Sequence, residues 1–217
     1  MMRTSQAAPI ALSPSSAFLG GSAALRARAE MPGRAESRPG RAERAWIRAA
    51  QKGSDEALEQ LFRHHWRPAH RAAYLVVHDA AAAEDIAQEA FLAAIRSLHR
   101  FDRRRPFAPW LHRIVLNRAI DWSRSRALRG EVGIEPAVVG ATAPGYEPEA
   151  AHPYSDEVVE ALASLSPEHR AVVVLRYLLE YTPGEIAKML ELPRGTVNSR
   201  LRRGLDRLAD TLGEERS

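Results

Sequence analysis

Thr196, Asn198, Ser199, Arg200, Arg202 and Arg203 fall within eight residues near the end of a 217-residue chain. Together they carry hydroxyl, amide and guanidinium groups. Arginine can bond guanine through two N–H groups, asparagine can do the same to adenine, and all of them can bond phosphate oxygens. To use that chemistry on a duplex, the residues must sit on a helix that enters the major groove. The local pattern supplies one. Val197 and Leu201, one turn apart, face inward and leave Thr196, Ser199, Arg200 and Arg203 facing out. A shorter helix precedes it: Thr182 and Glu185 form a Thr-x-x-Glu capping box, Pro183 suits the first turn, and Ile186, Met189 and Leu190 recur at helical spacing. Glu191 and Leu192 make the turn and Pro193 opens the second helix. The alternative for the same residues is a plain helical hairpin with a solvated basic face.

Composition narrows the remaining classes. Hydrophobic residues make up 45% of the chain, enough for real cores, and the length allows one or two modest domains. The net charge is only +4, but 29 of the 31 basic residues are arginine, whose planar fork suits phosphate and guanine. With no cysteine there is no disulfide framework, thiol switch or Cys-zinc site. No apolar run approaches the ~20 residues that span a bilayer. The mildly apolar stretch from Ala7 to Ala24 is interrupted by Pro9 and Pro14, which argues against a signal peptide. A soluble cytoplasmic protein is expected, with no metal, no cofactor and no membrane partner.

The pattern along the chain is all-α: two small helical domains joined by a flexible acidic linker. Residues 1–40 hold 23 Ala, Ser, Gly or Pro and show no helical stripe, so a disordered tail is expected. Residues 41–129 form the first domain. Trp46, Ile47 and Ala50 mark one helix. Leu58, Leu61, Phe62 and Trp66 mark a second, capped by Ser54, which either continues over Ala69 to Val77 or gives way to another. A longer helix runs from about Ala82 to Leu98, and a last one from about Phe107 to Leu128. Residues 130–156 have no lysine or arginine. With Glu157 they give six acids, punctuated by Pro, Gly and Ala. Residues 157–212 form the second domain and 213–217 a short tail. Residues 96–129 contain ten arginines and two aspartates, so the chain runs basic, acidic, basic, which suits two contacts on one polyanion.

Four motifs occur in order: Ala83 to Leu92 (AEDIAQEAFL), Phe107 to Asp121 (FAPWLHRIVLNRAID), Leu165 to Arg176 (LSPEHRAVVVLR) and Pro193 to Arg200 (PRGTVNSR). On these the chain resembles a bacterial RNA polymerase sigma factor of the sigma-70 family, extracytoplasmic-function (ECF) group. The first 40 residues lie outside the likeness. The resemblance implies an initiation subunit without covalent chemistry of its own. It binds core RNA polymerase through the β′ clamp helices and the β flap, and contacts promoter DNA as single-stranded −10 element and duplex −35 element. An anti-sigma factor is a further partner that the family admits. Carried over by motif, Asp85, Gln88 and Glu89 face the β′ clamp helices, and their i, i+3, i+4 spacing makes an acidic-polar face fit for a basic helix. Acid–base or metal chemistry by these carboxylates would need a phosphate loop, nucleophile elbow or His ligand set that does not accompany them. His64, His65 and His70 read as surface residues of an amphipathic helix.

By the same resemblance, Ser97, Phe101, Arg113 and Asn117 surround the melted −10 strand, with Arg103, Arg104, Arg105 and Arg124 tracking phosphates. Phe101 fits a pocket wall or the core equally; Trp110 and Trp122 fit core packing better than base stacking. For the −35 element, Arg176 and Thr196 align with phosphate contacts, and Asn198, Ser199, Arg202 and Arg203 with base or groove contacts, beside Arg200. Two departures stand out. Asp102-Arg-Arg-Arg-Pro106 replaces the family's flexible, glycine-containing loop, so a stronger and less selective backbone grip is expected there. Glu191 sits where helix-turn-helix proteins often place glycine; a side chain in a left-handed turn costs about 1 kcal/mol. The acidic linker would suit the basic channel that later carries RNA. A self-sufficient DNA-binding regulator is the runner-up reading. It would not need the first domain. A hydrolase or nucleotidyl enzyme lacks any ligand or nucleophile set.

Overall fold

Helices follow from the caps and stripes just described, and a computed structural model of the chain describes residues 40–129 and 156–214. The expected tail, nearly all of the linker and the last three residues lie outside that range. The described residues contain eight α-helices and no strand. The first four are α1 (Arg41–Ala50), α2 (Asp55–Val77), α3 (Ala80–Ser97) and α4 (Phe107–Leu128); the second four are α5 (Asp156–Ala163), α6 (Pro167–Val173), α7 (Pro183–Leu190) and α8 (Arg194–Glu214).

Local chemistry accounts for the ends. Ser54 accepts from Ala57 N and caps α2; Asp79 accepts from Ala82 N and caps α3. α2 runs unbroken through Pro68, which settles the choice left open for Ala69 to Val77. Arg126 Nη1 reaches Asp79 Oδ2 at 2.9 Å, so one carboxylate both caps α3 and holds the far end of α4. Alanines 69, 72, 73, 83, 87 and 90 are fully buried along the seams between α2, α3 and α4, where small side chains let helices approach closely. His65 corrects the expectation of a surface residue. It is buried, with Nε2 3.1 Å from Glu43 Oε1 and its ring against Phe107, because α1 closes over that side of α2.

In the second group, the Thr182–Glu185 capping box is complete: Thr182 N donates to Glu185 Oε2 at 2.7 Å, and Glu185 N donates to Thr182 Oγ1 at 3.2 Å. α6 continues as a π-helical turn, Val174–Leu178, which Glu180 ends in a left-handed conformation (φ 60°). Every residue from Arg170 to Tyr177 is buried. A helix buried all round must be enclosed on all sides. α8 covers one side of α6, and α2 and α4 cover another. The two helical groups therefore pack on each other, a contact not among the expectations drawn from the sequence.

Candidate nucleic-acid interface

Val197, Leu201, Gly204 and Leu208 form the buried stripe of α8, one or two turns apart. Asn198, Arg202 and Arg203 are thereby exposed, while Thr196, Ser199 and Arg200 stand half-buried beside them. Ser199 Oγ donates to Thr196 O on its own helix at 2.9 Å. Glu191 ends α7 with φ 54° and ψ 41°, the left-handed turn expected of it. Arg176 does not join this face. It is 5% exposed, with Nη1 3.4 Å from Tyr181 O, because it lies in the enclosed π turn.

A second basic surface lies on α4. Arg113, Asn117 and Arg124, at i, i+4 and i+11, share one face. Asn117 is exposed, whereas Arg113 pairs with Glu191 and Arg124 Nε lies 2.6 Å from Glu168 Oε1. Both acids belong to the second helical group. The loop before α4 presents Arg103, Arg104 and Arg105 to solvent. Asp102 organises it, its Oδ1 accepting from Arg104 N at 3.0 Å and its carbonyl from Arg105 N at 2.9 Å. Gln51 pins the loop's root by donating to Leu98 O and Phe101 O, each at 2.9 Å. Ser97 Oγ bonds Ala93 O on its own helix at 2.6 Å. Phe101 is buried in an aromatic cluster with Phe107 and Trp110, so of the two readings for its ring the structure takes the core. Trp110 packs there too. Trp122, half-buried, carries the Arg126 guanidinium 5.2 Å over its ring.

A third surface runs along α3. Asp85, Gln88 and Glu89 are all exposed on one face, with Gln88 Nε2 3.1 Å from Glu84 Oε1 and Glu89 Oε2 3.6 Å from Arg118 Nη1. Leu92 and Ile95 continue it, 53% and 41% exposed. Sequence reasoning missed these two. The signal was available: Leu92 lies at i+7 from Asp85, outside the buried stripe of Ile86, Ala90 and Ala94.

Residues 61–129 match sigma-70 region 2, and residues 155–208 match sigma-70, region 4. The chain is 31% identical to the ECF RNA polymerase sigma factor SigW of Bacillus subtilis over 178 residues, covering 76% of this chain and 94% of that one. It is 36% identical to the ECF sigma factor SigM of Mycobacterium tuberculosis over 161 residues, covering 74% and 80%. This chain belongs to the sigma-70 family, in its ECF group. A solved structure of CnrH in complex with the cytosolic domain of CnrY is similar to this sigma factor, with a TM-score of 0.59 and 28% identity over 80% of this chain and 98% of that one. The sigma factor's described residues hold no cluster of His, Cys, Asp or Glu fit for a metal, and no helix among them is long and apolar enough to cross a membrane.

Two titrating groups sit where its two basic surfaces meet. Burial alone would raise the Glu168 carboxyl, but the Arg124 hydrogen bond, its own backbone N–H and the Arg124 charge together hold it below the ordinary value. Burial lowers His169, and the charges of Arg200 and Arg203 lower it further. A lowered histidine binds its proton in the unfolded chain first, so its stabilising effect is whole above pH ~6.5 and fades as pH falls toward the folded value. The lowered Glu168 acts in the same direction, losing its contribution as pH drops from the unfolded value through the folded one. Melting temperature should therefore fall from pH 7 toward pH 5, and His169→Gln should flatten that slope. Parallel slopes for the two proteins would contradict the assignment to His169.

Proposed function

We propose that this sigma factor binds core RNA polymerase through the exposed α3 face, and that its two basic surfaces divide the promoter between them. α8 enters the major groove of the −35 element as duplex, with Asn198, Arg202 and Arg203 toward base edges and Thr196, Ser199 and Arg200 flanking them. The α4 face and the 102–105 loop take the −10 element as a single strand, with Asn117 offering a donor and an acceptor to an extruded base and the arginines holding phosphates. Bond making stays with the core enzyme, in the cytoplasm. On α3, Leu92 and Ile95 add apolar area to an acidic stripe, a combination suited to a basic amphipathic helix. Arg176 contributes to −35 phosphate binding only in a form where the π turn is uncovered. An anti-sigma partner belongs to the same reading, given that CnrH was solved with the cytosolic domain of CnrY bound.

The observation carrying this reading is the presence in one chain of a helix-turn-helix with exposed Asn198, Arg202 and Arg203 and a second body bearing the α3 and α4 faces. A self-sufficient regulator needs only the first. Purified chain should hold duplex promoter specifically only when core enzyme is present. Arg203→Ala should weaken −35-dependent transcription by about 1–3 kcal/mol, roughly 5- to 150-fold. Equal output from promoters with and without a −35 sequence would count against it. Asn117→Ala should reduce permanganate reactivity of the melted region more than binding of closed duplex, and an unchanged footprint would remove Asn117 from the −10 site.

A further inference from the structure

We infer that His169 is a further DNA-contacting residue of this sigma factor: with Arg200 and Arg203 it seats one backbone phosphate beside the −35 groove, and it takes up a proton as that phosphate binds. The inference rests on the reading of α8 as the −35 helix and adds to it a residue from outside the helix-turn-helix.

The placement is specific. His169 lies on the side of α6 that crosses α8, since a Cβ at Gly204 would stand 3.8 Å from His169 Cβ. Arg203 and Arg200 precede that glycine by one residue and by one turn, so their guanidinium groups flank the imidazole, and both charges act on it. Arg203 is exposed, and Arg200 and His169 are half-buried at the rim of the crossing. Neither arginine meets a carboxylate among the described residues. The contrast with α4 is plain, because Arg113, Arg118, Arg124 and Arg126 each have an acid. Two unpaired arginines, one of them partly withdrawn from water, stand beside an ionisable ring. Together they favour an anion.

Ser166 fixes the ring. Its Oγ accepts from His169 N at 3.4 Å and lies 2.7 Å from His169 Nδ1. A hydroxyl can donate to the neutral ring there and accept from the charged one, so the same contact serves both protonation states. With Nδ1 engaged, Nε2 is the atom left to meet an anion. The surrounding charges set the direction of the proton. In the free protein burial first, and then Arg200 and Arg203, hold His169 below its ordinary value, with Glu168 opposing them. Glu168 is itself turned to Arg124 of α4. Neither α2, which also packs on α6, nor the π turn brings a charge to the ring. A phosphate in the seat offsets the repulsion and raises His169 toward protonation. Affinity therefore rises as pH falls from the bound value toward the free one, and levels off below it.

The test uses holoenzyme and a labelled duplex promoter fragment obtained by mapping its start sites. Affinity is read from about pH 8 to about pH 6, a range that brackets an ordinary histidine, at several salt concentrations. Over that range wild type should tighten about threefold more than His169→Gln, because glutamine keeps an N–H at the reach of Nε2 but takes up no proton. The wild-type salt slope should steepen by about one as pH falls, the mark of one more charge on phosphate. His64→Gln, at an exposed histidine of α2, should titrate like wild type. Parallel titrations of wild type and His169→Gln would overturn the inference, as would a proton-linked gain with an unchanged salt slope. The underlying reading is tested apart: Arg203→Ala should weaken the same complex at every pH. If it does so while His169→Gln titrates like wild type, α8 keeps its place on the DNA and His169 loses its own. An Arg203→Ala complex as tight as wild type takes down the α8 reading and this inference together.

Discussion

Arg170→Met is expected to destabilise the protein by about 4 kcal/mol and to lower its melting temperature by roughly 12 °C. Arg170 is 8% exposed, and none of its hydrogen-bond partners is a carboxylate. Its guanidinium instead donates to four backbone carbonyls: Leu162 O from Nε at 2.8 Å, Ala163 O and Leu165 O from Nη2 at 2.9 Å each, and Val76 O from Nη1. Leu162 and Ala163 end α5, and Val76 lies one residue from the end of α2. The C-termini of two helices thus converge on one cation. Both carry unpaired carbonyls and the negative end of a helix dipole, which explains how a charge can be buried there. Burial pushes the guanidinium down to about 10, still charged at pH 7. Methionine fills similar space but leaves Ala163 O, Leu165 O and Val76 O without this donor, while Leu162 O keeps Leu165 N at 3.1 Å, and each buried orphan costs about 1–3 kcal/mol. Arg170→Lys keeps the charge but not the planar fork, and should recover less than half of the loss. A Met variant within 1 kcal/mol of wild type in urea unfolding would show that water satisfies the carbonyls instead. Three of the four bonds lie within the second body, so the loss should persist in a chain whose bodies have separated.

What could be read ahead of the structure was whatever depends on neighbours in sequence. The Ser54 cap, the Thr182–Glu185 box, the left-handed Glu191 and the span of α4 each involve residues within a few positions or one periodic stripe, and each appears as expected. On α8 the same periodicity puts Arg203 outward as expected, but Thr196, Ser199 and Arg200, expected outward too, are half-buried, and Asn198 and Arg202 are exposed instead. Failures share the opposite cause. Arg176, His65 and the partners of Arg113 and Arg124 are decided by residues tens of positions away, Tyr181 meeting His112 across 69 positions and Arg170 meeting Val76 across 94. A long acidic segment between two basic ones reads as a spacer, which suggests separate bodies. The continuous apolar run Ala171–Leu175 held a hint of the contact, since a helix end buried on every side requires more cover than α8 alone provides. Arginine-rich composition also misled in a simple way. It marks a basic surface without saying which of its charges are matched inside the molecule: Arg113 and Arg124 meet acids of the other body, and Arg118 and Arg126 meet acids of their own.

Gly204→Leu is expected to cost about 3 kcal/mol and to remove −35-dependent transcription almost entirely. The glycine lies within α8, where it weakens the helix by roughly 1 kcal/mol relative to alanine. Its use is the crossing with α6. A Cβ at position 204 would stand 3.0 Å from Val173 Cγ2 and 3.8 Å from both His169 Cβ and His169 O. Val173 is 3% exposed and hemmed in, so it can yield by tenths of an ångström at most. Alanine at 204 should come out within about 1 kcal/mol of wild type, since better helix propensity offsets a slight squeeze. Leucine cannot be absorbed in that way; overpacking on this scale costs about 1–3 kcal/mol and is relieved by moving a helix. The helix free to move is α8, because its other face meets solvent. Asn198, Arg202 and Arg203 lie within two turns of the crossing, and a tilt there displaces the groups that would meet base edges. The two variants therefore separate packing from recognition: alanine should melt and transcribe close to wild type, while leucine should melt roughly 9 °C lower and lose the −35 dependence. A leucine variant that melts like the wild type would mean that the α6–α8 crossing is looser than a 3.0 Å approach allows.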